Sequence, residues 1–316
     1  MTTLITGGAG FIGSRLALTL IARGEPVVVF DNFNPYYDPA IKRENVAALE
    51  DRAVVVEGDV RDTAAIDALF QAHGIRRVAH LAAMANVRFS MDQGALYSDV
   101  NVTGSVNLFD AARRHGVEVF VLGSTSSVYG NTQRIPFVED DSATLPLAPY
   151  PASKRAAEIF AHTYTNMYGL HVNVLRFFNV YGPHGRPDMM PLKALRAIYD
   201  GTPIPIFSGG ALQRDWTYID DIVEGVAAAL QRPMGYQIMN LGFGAPVTLN
   251  QFIHLYETLI GKAAVLQDVP TPPSEPIITY CNNDRARELL GFAPRTAIAE
   301  GLAQTWAWYQ ERYLRR

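Results

Sequence analysis

The chain has 316 residues, with 48% hydrophobic and 18% charged side chains, an ordinary globular composition with room for one large core or two lobes. A formal net charge of −4 gives no indication of nucleic-acid or polybasic membrane binding, and the single cysteine, Cys281, excludes an internal disulfide. No apolar stretch approaches the roughly 20 residues that cross a bilayer, and the N-terminus reads as a strand rather than a signal peptide, so we expect a cytoplasmic protein.

The first predicted element is a short buried strand over residues 2–6, followed by a glycine-rich turn and an apolar helix over residues 14–22. The turn fits either G-x-G-x-x-G or the looser G-x-x-G-x-x-G, depending on which glycines are counted: Gly7, Gly8, Gly10 and Gly13. Either register gives a tight turn, close approach of the backbone to a pyrophosphate, and free N–H groups at the start of a helix. The segment therefore predicts a dinucleotide-binding loop.

A second predicted strand, over residues 27–31, ends in Asp31, eighteen residues after Gly13. A carboxylate at this position accepts hydrogen bonds from an adenosine ribose and repels a 2′-phosphate. No arginine or lysine follows Asp31 until Lys42. The pattern therefore favours NAD over NADP as the cofactor.

Further β-rich runs alternate with helical patterns, at residues 54–57, 77–82, 119–123 and 172–178. This alternation predicts βαβ units, and thus an α/β fold with a Rossmann-type, doubly wound parallel sheet. Prolines and glycines interrupt the rhythm after Phe178, which indicates a smaller C-terminal substrate-binding lobe. We therefore divide the chain into two parts. The nucleotide-binding domain comprises residues 1–178 and is rejoined by about 215–241, and the nucleotide-sugar-binding lobe comprises 179–214 and 242–316.

Tyr150 and Lys154 are four residues apart in a helical pattern and so project from one helix face. A nearby cation favours the ionised form of a phenol, whose unperturbed pKa of about 10 otherwise leaves it protonated. The pair therefore predicts a tyrosinate base that acts near neutral pH.

The chain resembles the extended short-chain dehydrogenase/reductase superfamily, and specifically its nucleotide-sugar epimerases. The resemblance rests on the order and spacing of motifs at residues 6–13, 58–62, 80–83, 101–107, 124–130, 150–154, 176–183 and 214–221. It implies an NAD site in which Asp59 and Val60 lie at the adenine and residues 81–83 line the phosphates. The implied cofactor-binding residues are Gly7, Gly10, Phe11, Ile12, Gly13, Asp31, Asn32, Asp59, Val60, Leu81, Ala82, Ala83, Asn101, Tyr150 and Lys154.

The resemblance also implies the reaction. Tyr150 takes the proton of a sugar hydroxyl while hydride moves from C4 to NAD⁺, and the ketone is then turned over and reduced from its other face. Lys154 lowers the pKa of Tyr150, and Thr125 bridges substrate and tyrosine. Related dehydratases and decarboxylases carry carboxylates where this chain has Ser126 and Ser127, and a hydroxyl cannot replace a carboxylate as acid or base. The sequence therefore indicates plain epimerisation and no metal.

Residues 31–42 and 185–189 are similar to segments of UDP-glucuronate 4-epimerases. Arg186, in a rigid Pro/Gly loop, is predicted to pair with a hexuronate carboxylate, and Ser126, Ser127 and Asn179 add neutral donors. Ser126, Ser127 and Arg186 are also predicted to restrain the carboxylate of a 4-keto uronate, which as a β-keto acid is prone to lose carbon dioxide. Further predicted substrate-binding residues are Tyr150, Thr125, Arg88 and, as the cation at the diphosphate of a UDP-sugar, Arg214.

Several alternatives stay open. Asn179 replaces the threonine expected in the uronate enzymes, and the nucleotide-contacting pattern is replaced around residues 272–275, so UDP-glucose or UDP-N-acetylglucosamine and a dTDP-sugar are alternative substrates. Arg186 is equally a candidate for a surface or interlobe salt bridge. A non-catalytic NAD-binding regulator is the remote alternative.

A homodimer is implied by the same resemblance, since helical patterns near residues 95–115 and 153–168 are similar to the pair that forms an intersubunit four-helix bundle in this superfamily. The apolar residues of the first pattern are equally suited to face their own sheet: Leu96, Val100, Val106 and Phe109.

Overall fold

The large sheet contains seven strands, all parallel, in a computed structural model that describes residues 1–272 and 275–314. Its strands lie in the order β11-β6-β5-β4-β1-β2-β3. Their bounds are β1 Thr2–Thr6, β2 Val27–Asp31, β3 Val54–Glu57, β4 Ile75–His80, β5 Val119–Thr125, β6 Val172–Phe177 and β11 Tyr236–Leu241. The predicted parallel sheet is confirmed, with strand ends that shift by up to two residues.

Helices cover both faces of this sheet, as a doubly wound fold requires. Neighbouring residues of β1 enter two different cores, because successive side chains of a strand point to opposite faces: Leu4 packs in one core and Ile5 in the other. Strands β2 and β5 are buried throughout, which explains their near-continuous apolar sequence.

The helices of the first 168 residues are α1 Phe11–Ala22, α2 Pro39–Ala47, α3 Thr63–His73, α4 Val87–Ser90, α5 Gly94–Ser98, α6 Gly104–Arg114 and α7 Pro149–Tyr168. A π-helical turn, Asp99–Thr103, joins α5 to α6, and a 3-10 turn, Ser126–Tyr129, follows β5. Helix α1 begins three residues earlier than predicted, because Gly10 serves as its N-cap in an extended conformation.

The remaining elements form small sheets and their covering helices. Strands β7 Asn179–Tyr181 and β10 Trp216–Tyr218 pair with each other, β8 Pro203–Phe207 pairs with β13 Val265–Val269, and β9 Gln213–Arg214 joins β12 Val247–Thr248 and β14 Ile278–Thr279. The later helices are α8 Met190–Asp200, α9 Ile219–Ala229, α10 Leu249–Ile260, α11 Asp284–Leu290 and α12 Ile298–Tyr309, with short turns at Ser208–Gly210 and Gln310–Leu314.

Strand β11 pairs with β6, and α9 packs beside α1, so the chain returns to the large sheet after β10. We keep the division into a nucleotide-binding domain and a C-terminal lobe as a proposal. Within the described ranges, no helix is both long enough and apolar enough to span a membrane.

Candidate active site

A cavity of about 1140 Å³ runs between the carboxyl ends of the large sheet and the small sheets that follow. Ligand sites of open parallel sheets lie at this edge. Most of the predicted site residues line it: Gly7, Gly10, Phe11, Ile12, Gly13, Asp31, Asn32, Val60, Leu81, Ala82, Ala83, Arg88, Thr125, Ser126, Ser127, Tyr150, Lys154, Asn179, Arg186 and Arg214. Asp59 and Asn101 are not part of the lining.

The glycine loop has the shape of an anion cradle. Gly7 has a φ of +68°, and a Cβ there would lie 2.6 Å from the backbone nitrogen of Ala82. A Cβ at Gly13 would collide with the carbonyl oxygen of Gly7. Gly10 instead faces the cavity as the N-cap of α1, and no side chain caps the first N–H groups of that helix. These free donors fit the pyrophosphate of a dinucleotide.

Asp31 lies at the end of β2 and accepts hydrogen bonds from the backbone N–H groups of Ala9, at 3.2 Å, and Phe33, at 2.8 Å. The ammonium of Lys42 lies 3.4 Å from the same carboxylate, because α2 folds back over the end of the sheet. Lys42 is therefore distant from Asp31 in sequence but adjacent to it in space, a contact that the sequence did not predict. Asp31 remains the carboxylate on the cavity wall that can accept hydroxyl donors.

The two predicted residues outside the lining support the site from behind. Asp59 is held by Arg61 and Asn32, and the hydrogen bond from Arg61 keeps the pKa of the Asp59 carboxyl well below its usual range. Asn101 is fully buried and bonds to the backbone of Met84 in both directions, at 2.9 and 3.0 Å, and to Ser153. Asn101 thus joins the segment after β4 to the first turns of α7.

Tyr150, Lys154 and Thr125 meet at one wall of the cavity, where α7 approaches the end of β5. The Thr125 hydroxyl accepts a hydrogen bond from the N–H of Ser127 at 3.1 Å, which leaves its own proton free to donate. Lys154 is 2% exposed, and burial lowers the pKa of its ammonium to about 8, although Glu158 opposes this shift.

The pKa of Tyr150 differs from the expectation of a phenol ionised by Lys154. Part of the Tyr150 side chain is accessible from the cavity, yet the surrounding protein raises the pKa of the phenol above its usual value. The Thr125 hydroxyl and the positive charge of Arg186 act in the opposite direction, and Lys154 is not among the groups that lower this pKa. Burial has a larger effect on the Tyr150 pKa than the charge of Arg186, because removal of the phenol from water disfavours its ionised form.

A buried ion pair lies next to the cavity wall that Thr125, Tyr150 and Lys154 form. Glu158 follows Lys154 by one turn of α7 and is fully buried with Arg176, whose guanidinium binds it at 3.0 and 2.8 Å. The hydroxyl of Ser124, the residue before Thr125, donates to Glu158 at 2.6 Å. Burial disfavours the carboxylate, but the bonds from Arg176 and Ser124 outweigh it, so the pKa of Glu158 is lowered. Sequence reasoning missed Glu158, although its spacing from Lys154 was a usable signal.

The loop after β7 carries Arg186 as part of a charged cluster. Its guanidinium binds Asp188 at 3.0 and 2.7 Å, and Asp188 also accepts from Tyr36 and Asn86. Arg186 therefore lines the cavity and at the same time forms a salt bridge within its own loop, to Asp188 two residues later, rather than one between lobes. Sequence reasoning missed Asp188, Tyr36 and Asn86.

The other predicted substrate residues also line the cavity. The guanidinium groups of Arg88 and Arg214 each lie 3.0 Å from Glu275, which bridges them. Arg88 is 61% exposed, whereas Arg214 is mostly buried. Ser126 and Ser127 stand in the 3-10 turn after β5, and Asn179 begins β7. Two residues of the replaced nucleotide-contacting pattern, Pro273 and Ser274, lie outside the described residues.

Comparisons with known proteins agree with this geometry. The model of the NAD dependent epimerase/dehydratase family matches residues 3–242. A UDP-glucuronate 4-epimerase of Thermodesulfobacterium geofontis (strain OPF15) is 41% identical over 311 residues, which cover 98% of this chain and 96% of that protein.

Two solved structures share the fold over nearly the whole chain. The UDP-glucuronic acid 4-epimerase from Bacillus cereus, in complex with UDP-glucuronic acid and NAD, is 31% identical with a TM-score of 0.93 and covers 99% of this chain and 100% of that one. The UDP-glucose 4-epimerase from Thermotoga maritima, with UDP-glucose, is 30% identical with a TM-score of 0.91 and covers 98% and 99%. The chain is therefore an NAD-dependent enzyme and belongs to the NAD dependent epimerase/dehydratase family.

Proposed function

We propose that the protein is a 4-epimerase that interconverts UDP-glucuronate and UDP-galacturonate. The observation that carries this proposal is Arg186, a guanidinium on the cavity wall whose charge reaches Tyr150. It provides an anion-binding group beside the reacting hydroxyl, where a neutral hexose offers no charge to bind. The full-length similarity to UDP-glucuronate 4-epimerases supports the same substrate.

NAD fits the cradle formed by Gly7, Gly10 and Gly13, with its adenosine ribose at Asp31 and its other ribose at Lys154. Lys154 lines the cavity, where its ammonium can donate to ribose hydroxyls. When bound, the cofactor accepts hydride from the sugar and returns it to the opposite face.

Tyr150 is the proposed acid and base. Its phenol oxygen takes the proton of the C4 hydroxyl as the alcohol becomes a ketone, and it returns a proton when the ketone is reduced. Thr125 donates its free proton to the sugar oxygen or to the phenolate and so holds the two together. Because burial raises the pKa of Tyr150, the proton transfer depends on the two groups that oppose this shift, the Thr125 hydroxyl and the positive charge of Arg186.

Ser126 and Ser127 direct the ketone toward reduction. Elimination of water needs a carboxylate acid and base at this turn, and serine hydroxyls cannot supply them. A 4-keto uronate loses carbon dioxide fastest when its carboxylate bond stands perpendicular to the ketone plane. We propose that Ser126, Ser127, Asn179 and Arg186 hold the carboxylate away from that geometry.

Arg214 is the proposed cation for the UDP diphosphate, with Arg88 as a second, more exposed cation. Both guanidinium groups meet at Glu275, so a diphosphate and this carboxylate would bind to the same donors.

The deciding experiment incubates purified protein with UDP-glucuronate and, separately, with UDP-glucose, without added NAD, and identifies the products by NMR after chromatography. We expect UDP-galacturonate and no UDP-pentose from the first substrate. Formation of UDP-galactose alone would contradict the uronate assignment and support a neutral-sugar 4-epimerase, the second candidate, which Asn179 and the similarity to the Thermotoga maritima enzyme favour. Retained NAD without turnover would indicate a regulator.

We also propose a homodimer, in which α7 packs against its copy. Its outer face carries exposed apolar side chains: Ile159 (54%), Phe160 (41%), Met167 (61%) and Tyr168 (48%). On the neighbouring helices, Phe109 and Val100 are buried in their own core, whereas Leu96 and Val106 are half-buried. An exposed apolar stripe of this kind on a long helix fits an interface between copies.

A cytoplasmic location is part of the proposal, since Cys281 is a free thiol.

Replacing Phe160 with glutamate is expected to give a monomer, because it places a charge in the centre of this stripe. Light scattering after size-exclusion chromatography measures the mass directly. The matched control is Leu145→Glu, another exposed apolar residue, 77% accessible and outside α7, which should leave the mass unchanged. A wild-type monomer would refute the dimer.

A further inference from the structure

Asp188 is the most heavily bonded carboxylate at the cavity wall. It accepts two hydrogen bonds from Arg186, at 3.0 and 2.7 Å, one from the Tyr36 hydroxyl at 3.1 Å, and one from the Asn86 amide at 3.0 Å. Tyr36 follows β2 and Asn86 follows β4, so Asp188 ties the loop after β7 to two segments of the nucleotide-binding half. Its side chain is only 17% exposed.

The bonds to Asp188 use one edge of the Arg186 guanidinium. The Nε and Nη2 atoms face Asp188, and Nη1 makes one long bond, at 3.4 Å, to the carbonyl oxygen of Ala85. A guanidinium has five N–H donors arranged in a fixed plane. The edge formed by Nη1 and Nη2 therefore keeps donors that no group in the described part of the chain fully satisfies, and Arg186 lines the cavity.

We propose that Asp188 is a positioning residue that gives this site its preference for a carboxylated sugar, an inference that rests on the proposed function. It fixes the plane of Arg186 through the Nε–Nη2 edge and so presents the Nη1–Nη2 edge to the hexuronate carboxylate. Tyr36 and Asn86 fix Asp188 in turn. A neutral hexose has no group for the presented edge, so its binding does not depend on this orientation.

The test compares Asp188→Asn with wild-type holoenzyme on UDP-glucuronate and on UDP-glucose. The asparagine amide cannot accept both guanidinium bonds, so Arg186 loses its fixed plane. We expect KM for UDP-glucuronate to rise about tenfold, the loss of roughly one charge-assisted hydrogen bond, while kcat falls much less and KM for UDP-glucose changes less than about twofold. Asp188→Glu, which retains the carboxylate, should recover part of the loss.

Two further variants separate positioning from a general loss of structure. Tyr36→Phe removes a single donor to Asp188 and should raise KM for UDP-glucuronate by about two- to threefold even where Asp188→Asn folds poorly. Asp140→Asn breaks a comparable but exposed ion pair, with Arg285 at 2.6 Å, and should change neither KM. Retained NAD and the urea midpoint report folding for each variant.

Two kinetic outcomes would overturn the inference. If Asp188 competes with the substrate for Arg186, Asp188→Asn lowers KM for UDP-glucuronate, and the inference is wrong. Equal changes for both substrates would also overturn it. If wild-type protein does not turn over UDP-glucuronate, the proposed function fails, and calorimetric binding of the two UDP-sugars to wild type and Asp188→Asn still decides whether Asp188 confers selectivity for the carboxylate.

Discussion

Replacing Tyr150 with phenylalanine is expected to lower kcat by about a thousandfold, within the range for loss of a general acid and base. The phenol oxygen is the titratable group that α7 presents next to Thr125, and Lys154 has a different task as an ammonium beside the ribose. The ring remains in place, so Tyr150→Phe should retain NAD. The measurement is conversion of UDP-glucuronate followed by NMR, with NAD determined after denaturation.

Tyr168→Phe is the matched control, since it removes a hydroxyl from the same helix at an exposed position. Its kcat should equal that of wild type. A loss of less than about tenfold in Tyr150→Phe would mean that another group moves the proton, because a positioned acid or base contributes at least about a hundredfold.

Replacing Glu158 with glutamine is expected to destabilise the protein by about 3–5 kcal/mol, because it leaves Arg176 buried without its counter-ion. Both side chains are completely buried, so water cannot compensate the guanidinium. Urea unfolding followed by circular dichroism measures the change. The double variant Glu158→Gln with Arg176→Met removes both charges and should recover much of the loss; a double variant no more stable than Glu158→Gln would contradict this account.

The same substitution should also move the pH profile. Burial lowers the pKa of Lys154 to about 8, so its ammonium is present below this pH and is lost as the pH rises through it. Glu158 raises that pKa, and a neutral glutamine therefore lowers it. The alkaline limb of kcat/KM should shift to lower pH in Glu158→Gln. Ser124→Ala, which removes one bond to Glu158 but no charge, should leave the alkaline limb in place.

Local sequence patterns were enough to predict the parallel sheet, the glycine cradle, the acid at the end of β2, and the placement of Tyr150 and Lys154 on one helix. Each of these features is written in a contiguous run of residues, because strand and helix periods and the start of a helix depend on neighbours in the chain. The positive φ of Gly7 and the close approach of Gly13 to the Gly7 carbonyl oxygen belong to the same local turn, whereas the contact of Gly7 with Ala82 is a tertiary one.

Which charges meet depends instead on how distant segments of the chain fold together. Lys42 reaches Asp31 because α2 folds over the sheet, and Asp188 takes its donors from segments that lie far apart in sequence, at Tyr36, Asn86 and Arg186. The raised pKa of Tyr150 likewise depends on how much protein surrounds the phenol. Spacing along the chain limits which residues can share a helix face or strand end, but desolvation and ion pairing depend on distances across the fold, which no local pattern encodes.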